Sequence, residues 1–139
     1  MIASDTDRGV VLLQQRFDVG DLVDVREQVH LTCVAAGLPG SRAEGFSASI
    51  NEAMTNAIVH GGQRREITVS MGDSGIRGEV IDNGTAERFN VPARPPPPEY
   101  VGGRGLWIAS KLCDRIRIRT GEPGTRVVLE TDFPRRRNR

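Results

Sequence analysis

Residues 51–60, Asn-Glu-Ala-Met-Thr-Asn-Ala-Ile-Val-His, constrain the fold of this chain more than any other stretch. A carboxylate, a carboxamide and an imidazole recur there at i, i+4 spacing within an otherwise apolar segment. Each four-residue step on an α-helix advances about 400°, so Glu52, Asn56 and His60 form one slowly drifting polar stripe. Phe46, Ile50, Ala53, Met54, Ala57 and Ile58 cover the other side. A helix that only fills a core needs the apolar face alone. The polar stripe therefore asks for a ligand, a metal, a partner or water.

The rest of the chain must supply a layer for the apolar face, and its periodicities do so. Val10–Phe17 reads as a strand. Asp18 or Asp21 can then cap a first helix over roughly 20–36, with Leu22, Val25, Val29 and Val34 as its apolar positions and Gly37 and Pro39 as its stop. Ser41-Arg42-Ala43-Glu44 has a capping-box pattern, which predicts that the second helix starts at Arg42 and runs to about His60. Residues 66–71 and 76–81 form a predicted hairpin around Gly72-Asp73-Ser74-Gly75. Residues 84–102 form a long loop containing Pro92 and the run Pro95–Pro98. Four consecutive prolines favour a stiff polyproline II section, about 12 Å long at roughly 3.1 Å per residue. A short helix follows over 107–113. The alternating Arg115–Arg119 then pairs with 125–131 across a Gly-Glu-Pro-Gly turn. The order β-α-α-β-β-loop-α-β-β predicts an α+β two-layer sandwich, with helices on one face of a mostly antiparallel, mixed sheet.

The chain of 139 residues is long enough for one domain with a real core and short for two. No apolar run approaches membrane-spanning length. No export signal opens the sequence, so the expected location is cytoplasmic. Cys33 and Cys113 are too few for a disulfide framework or a four-ligand zinc site and are expected as buried free thiols. Residues 1–70 carry 6 Arg against 9 acidic groups, whereas residues 71–139 carry 12 Arg and Lys111 against 9. Arg135, Arg136, Arg137 and Arg139 account for much of that asymmetry. No nucleic-acid module accompanies this basic tail, so it reads as solvated, and no direct nucleic-acid partner is expected.

Two further clusters bear on chemistry. Gly103-Arg104-Gly105 stands at a loop-to-helix junction, where small residues let backbone N–H groups approach an anion. It is not a P-loop, because no Gly-Lys-Ser/Thr follows, and it lacks the full Rossmann glycine pattern. Asp82-Asn83-Gly84 ends a predicted buried strand. It is either an ordinary turn or an acceptor for a base amino group.

Their order carries more than each alone: Glu-x-x-x-Asn on a helix, Asp-x-Gly after a strand, Gly-x-Gly-Leu after a long loop, then Gly-Thr opening the last hairpin. Over about residues 8–133 the chain resembles the nucleotide-binding domain shared by gyrase, histidine kinases, the mismatch-repair ATPase and a heat-shock chaperone. In detail it is similar to the single-domain anti-sigma-factor serine kinases of bacterial partner-switching systems. The resemblance implies a histidine-kinase-like ATPase fold in one domain, 8–133, with flexible tails at 1–7 and 134–139.

It also implies ATP or ADP with Mg2+ as ligands. Glu52 is then the general base and Asn56 the magnesium ligand, while Asp82 accepts from the adenine amino group with Gly84 beside the base. Gly102, Gly103 and Gly105 of the Gly-x-Gly-Leu segment, which ends in Leu106, wrap the phosphates. Thr125 assists at the adenine end, residues 85–102 form a movable lid, and Arg104 either adds charge near the γ-phosphate or is solvated. The implied partners are a sigma factor, a STAS-type anti-sigma-factor antagonist and a second copy of the chain.

A serine hydroxyl or a water benefits from a positioned base, whereas a neutral imidazole brings its own lone pair. Glu52 thus favours serine phosphorylation or ATP hydrolysis over histidine autophosphorylation, and His30 reads as structural. His60 either closes its helix or reacts. Where the family often continues Asp-x-Gly-x-Gly, this chain has Ala86, which restricts the backbone. That leaves open a second reading, an ATP- or ADP-dependent protein-binding module without kinase activity.

Overall fold

The structure, a computed structural model, describes residues 9–84, 104–121 and 124–135. The expected lid, the Pro95–Pro98 run, Ala86, Gly102 and Gly103 lie outside the described residues. Within them the chain runs β1 (Val10–Arg16), α1 (Leu22–Ala35), α2 (Gly40–His60), β2 (Arg65–Met71), β3 (Gly75–Asp82), α3 (Arg104–Leu112), β4 (Arg115–Gly121) and β5 (Gly124–Asp132). The expected order of elements is therefore the observed one.

The five strands form one sheet in the order β1-β2-β3-β5-β4. All four pairings are antiparallel, in line with the mostly antiparallel sheet expected, and no parallel pair occurs among the described strands. The three helices cover one face of it. Strict alternation decides which side chains point there. In β3, Ile76, Val80 and Asp82 are buried, and in β5 so are Thr125, Val127, Leu129 and Thr131. Opposite them α2 buries Phe46, Ile50, Ala53, Met54 and Ala57, the apolar side read from the sequence. Each of the larger of these side chains contributes about 1.5–3 kcal/mol on burial.

Besides α3, which starts at Arg104 and not at the expected 107, three local details differ from the sequence expectation. First, α2 begins at Gly40 and not at Arg42. The carbonyl of Pro39, in extended backbone, accepts the first helical hydrogen bond from Ala43 N at 2.8 Å, and Ser41 is already inside the helix without a side-chain cap. Second, the Asp18 side chain caps a short 3-10 turn, Val19–Asp21, ahead of α1. Asp21 completes a capping box by accepting from Asp18 N at 2.8 Å. Third, α1 buries Val25, Val29 and Cys33 at strict four-residue spacing, which leaves Val34 exposed. The described residues include no helix long and apolar enough to cross a membrane.

A polar clamp fixes α2 against the sheet. The Arg42 guanidinium donates to Asp114 Oδ2 at 2.6 Å, and the same oxygen accepts from Asp132 N at 2.7 Å. The first turn of α2 is thus tied to the β4–β5 end, while its last turns lie at the opposite end of the layer, where the polar stripe emerges.

Candidate functional site

β3 and β5 end side by side, with Asp82 directly opposite Thr125. Both point to the helical face, and both are nearly sealed from solvent, 5% and 3% exposed. Asp82 is held from behind. Its Oδ1 accepts backbone N–H groups from Gly84 at 2.7 Å and Gly62 at 3.2 Å. Asn83 adds a second stitch, its Oδ1 accepting from Arg64 N at 3.0 Å and its N–H donating to Arg64 O at 3.1 Å. The segment leaving α2 is therefore laced to the end of β3. Gly84 fits only because it lacks a side chain, since a Cβ there would overlap Gly62 N and lie 2.7 Å from Gly61 C. The Asp-x-Gly triplet is accordingly more than a turn.

What remains unsatisfied is informative. Thr125 Oγ1 is buried and has no hydrogen-bond partner among the described residues. Asp82 Oδ2 accepts no hydrogen bond among the described residues. An unpartnered buried hydroxyl costs free energy, about 1–3 kcal/mol, so a hydroxyl next to a carboxylate oxygen with capacity to accept marks a place built for a ligand group. A purine amino group and ring nitrogen have the complementary donor and acceptor set.

The second half of the site stands on α2 and α3. Glu52 and Asn56 lie one turn apart on α2 and are half-buried. Asn56 has no hydrogen-bond partner for its carboxamide among the described residues. The first turn of α3 meets the Glu52 side chain, where a Cβ on Gly105 would stand 2.8 Å from Glu52 Oε1. Burial pushes the Glu52 carboxyl above the usual carboxylate range, and the positive charge of Arg26 on α1 pulls it partly back. Arg104 is the first residue of α3, and Leu106 is 2% exposed, its side chain holding the helix down. The helix N-terminus beside Glu52 favours an anion by about 0.3–1 kcal/mol.

The structure therefore brings together Glu52, Asn56 and Gly105 at one end, and Asp82, Gly84 and Thr125 at the other. Gly102 and Gly103 lie outside the described residues. His60 is the last residue of α2 and exposed, in keeping with the helix-closing reading. Cys33 and Cys113 are buried free thiols, as expected. Burial raises them to about 12 and about 11, with the neighbouring Asp114 adding to the second.

Sequence reasoning missed two participants. Gly62, just past the end of α2, donates its N–H to Asp82. The Gly-Gly pair following a polar helix stripe was the available signal. Arg26 had no signal of its own, because it acts on Glu52 from another helix.

The profile of the histidine kinase-like ATPase domain matches residues 16–131. No curated protein matches significantly. Among solved structures, that of the RsbU and RsbW domains of Rv1364c from Mycobacterium tuberculosis is similar, with a TM-score of 0.65 and 23% sequence identity. The alignment covers 89% of this chain and 33% of that one, so the chain spans about a third of the length of its structural relative. At this identity the likeness concerns the fold.

Proposed function

The chain belongs to the histidine kinase-like ATPase family, and from that premise we propose that it is an ATP-dependent protein-serine/threonine kinase of the anti-sigma-factor type. It phosphorylates a serine on a STAS-type antagonist and thereby controls the availability of a sigma factor. Nucleotide binding follows from the ATPase domain itself. The observation that carries the finer reading is the Glu52 carboxylate, half-buried, raised by its surroundings and seated against the head of α3.

Each residue has a stated task in this reading. Asp82 Oδ2 accepts from the adenine amino group while Gly62 and Gly84 hold Oδ1, so the carboxylate cannot rotate away. Thr125 Oγ1 satisfies its missing bond on the same base. Asn56 offers a carboxamide oxygen to Mg2+. The described residues contain no group of three or more His, Cys, Asp or Glu that could hold a metal ion; a cation at Asn56 would take most of its ligands from phosphate and water, as suits a hard ion that keeps part of its shell. Bound Mg2+–ATP supplies an electrophilic phosphorus with its charge neutralised. Glu52 takes the proton of the attacking serine hydroxyl, and its raised affinity for a proton makes it a stronger base than a solvated glutamate. The backbone at Gly105, with Gly102, Gly103 and Arg104, attends the phosphates.

Incubation with labelled ATP, Mg2+ and a STAS-type antagonist tests the reading. Transfer to an antagonist serine is expected, and ATP binding without transfer to any antagonist would leave the protein a nucleotide-dependent binding module. Ala86, in place of the second glycine, is the feature favouring that alternative. Homodimerisation belongs to the same proposal and is checked by light scattering at tens of micromolar protein.

A further inference from the structure

The face of the sheet turned away from the helices is charged, and several of its charges are paired, although Arg117 has no ion pair among the described residues. Arg77 meets Glu79 at 3.2 Å, and Arg115 meets Glu130 at 2.9 Å and also Asp132. One cross-strand row departs from this pattern. The registers of the four strand pairs place Arg119, Arg126, Ile81, Glu66 and Arg16 side by side across β4, β5, β3, β2 and β1. Arg119 thus stands directly opposite Arg126, a like-charge cross-strand pair, which is unfavourable in the isolated sheet. Arg126 reaches Glu79 only at 3.6 Å, and Arg119 has no ion-pair partner among the described residues. Two hollows flank the row and meet at Ile81. One, of about 310 Å3, is lined by Arg119, Arg126 and the strand ends. The other, of about 300 Å3, is lined by Arg16, Arg64, Arg65 and Glu66 together with Asp82 and Asn83 at the end of β3.

We propose that this row is a docking surface for an acidic segment of a partner protein, its carboxylates pairing with Arg119 and Arg126 and an aliphatic side chain resting on Ile81. Charge complementarity selects the occupant. Two guanidiniums facing each other across one strand pair, Arg119 without an ion pair among the described residues and Arg126 with only the long one to Glu79, match carboxylates spaced along an extended or helical segment, and half-buried Ile81 gives an apolar seat between the hollows. A nucleic-acid backbone fits less well, because Glu66 lies in the row, Glu79 lies next to it, and the row offers no aromatic ring for a base to stack on. The row also lies on the reverse of the strand ends that carry Asp82 and Thr125, since Ile81 and Arg126 are their immediate neighbours in sequence. The two hollows reach Thr125 and Asp82 at these strand ends, so the surface adjoins the candidate nucleotide site, but its arginine row does not depend on the kinase reading.

The test combines binding and stability. Anisotropy of a fluorescein-labelled peptide of glutamates around a central leucine is measured against the full-length wild type, Arg119→Gln/Arg126→Gln and Arg119→Glu. A peptide with lysine for glutamate and a short labelled DNA duplex serve as comparisons. The glutamate peptide is expected to bind wild type in a salt-sensitive manner and to lose about tenfold in affinity in the double variant. Arg119→Glu is expected to lose at least as much and yet melt about 1–4 °C higher, because it converts a like-charge pair into an ion pair. Loss of peptide binding together with gained stability distinguishes a docking residue from a structural one. The proposal is overturned if the glutamate peptide fails to bind wild type or binds all three proteins equally, or if Arg119→Glu melts lower. It is equally overturned if the duplex binds more tightly with the same arginine dependence, or if the substitutions change the molar mass in solution, which would give the row to a second copy.

Discussion

The two ends of the site are built on opposite principles. At the Asp82 end every protein group but one is fixed: the carboxylate is sealed, two backbone N–H groups hold one of its oxygens, and glycine at 84 allows the strand end and the helix exit to touch. At the Glu52 end the carboxylate and the Asn56 carboxamide are half-buried, and the neighbouring surface is a helix N-terminus. A rigid acceptor suits recognition of a group whose shape never changes. A half-buried carboxylate with an elevated proton affinity suits a group that must gain and lose a proton. On the proposed reading, the difference means that binding and chemistry should separate by substitution.

The sharpest separation is expected at Glu52. Glu52→Ala should slow serine phosphorylation by about 10²–10⁴-fold while ATP affinity changes little, since a base acts chiefly in the transition state. Single-turnover assays beside calorimetry would show both, and an unchanged rate removes the base assignment. The pH dependence has a definite sign. Burial raises the Glu52 carboxyl, so the active, deprotonated form is lost as pH falls through a value above the ordinary glutamate range. The acid limb of the rate should therefore lie above the ordinary glutamate range. Arg26→Gln removes the charge that lowers this carboxyl and should move the limb further up.

Gly84→Ala should blur the comparison. Its Cβ would press on backbone at Gly61 and Gly62, so both folding stability and nucleotide affinity should fall, the former by about 1–3 kcal/mol. Denaturant unfolding measures it, and a variant as stable as wild type would contradict the close approach.

A smaller effect of opposite sign is expected at Thr125. Thr125→Val removes a buried hydroxyl that has no partner among the described residues, so the ligand-free protein should become slightly more stable while nucleotide binding weakens by about 0.5–1.5 kcal/mol. Thermal melts with and without ATP would show the two changes.

Much of this was legible in the sequence, for identifiable reasons. Strands β3 and β4 announce themselves by alternation, and the four-residue spacing of Glu52, Asn56 and His60 specifies one face of α2 without any tertiary information. Helix starts were less legible, because Ser41 offers a cap that Pro39 makes unnecessary. The choice between Cys33 and Val34 turns on one residue of helical phase, which propensity does not resolve. The clasp of Gly62 on Asp82 joins residues 20 apart. The pairing of Arg119 with Arg126 depends on hairpin register. Both are properties of the assembled sheet and not of any local pattern.

The central claim is that Asp82 is the fixed acceptor of a nucleotide base, and a calorimetric titration of Mg2+–ATP into wild type and Asp82→Asn tests it most directly. Asparagine keeps the Oδ1 acceptor that Gly62 and Gly84 require and replaces only the outward oxygen with a donor, so the fold is retained while the adenine amino group meets another N–H. Affinity should fall by about 1.5–3 kcal/mol, roughly 10–150-fold. Equal affinity in the two proteins, both melting normally, would contradict the site.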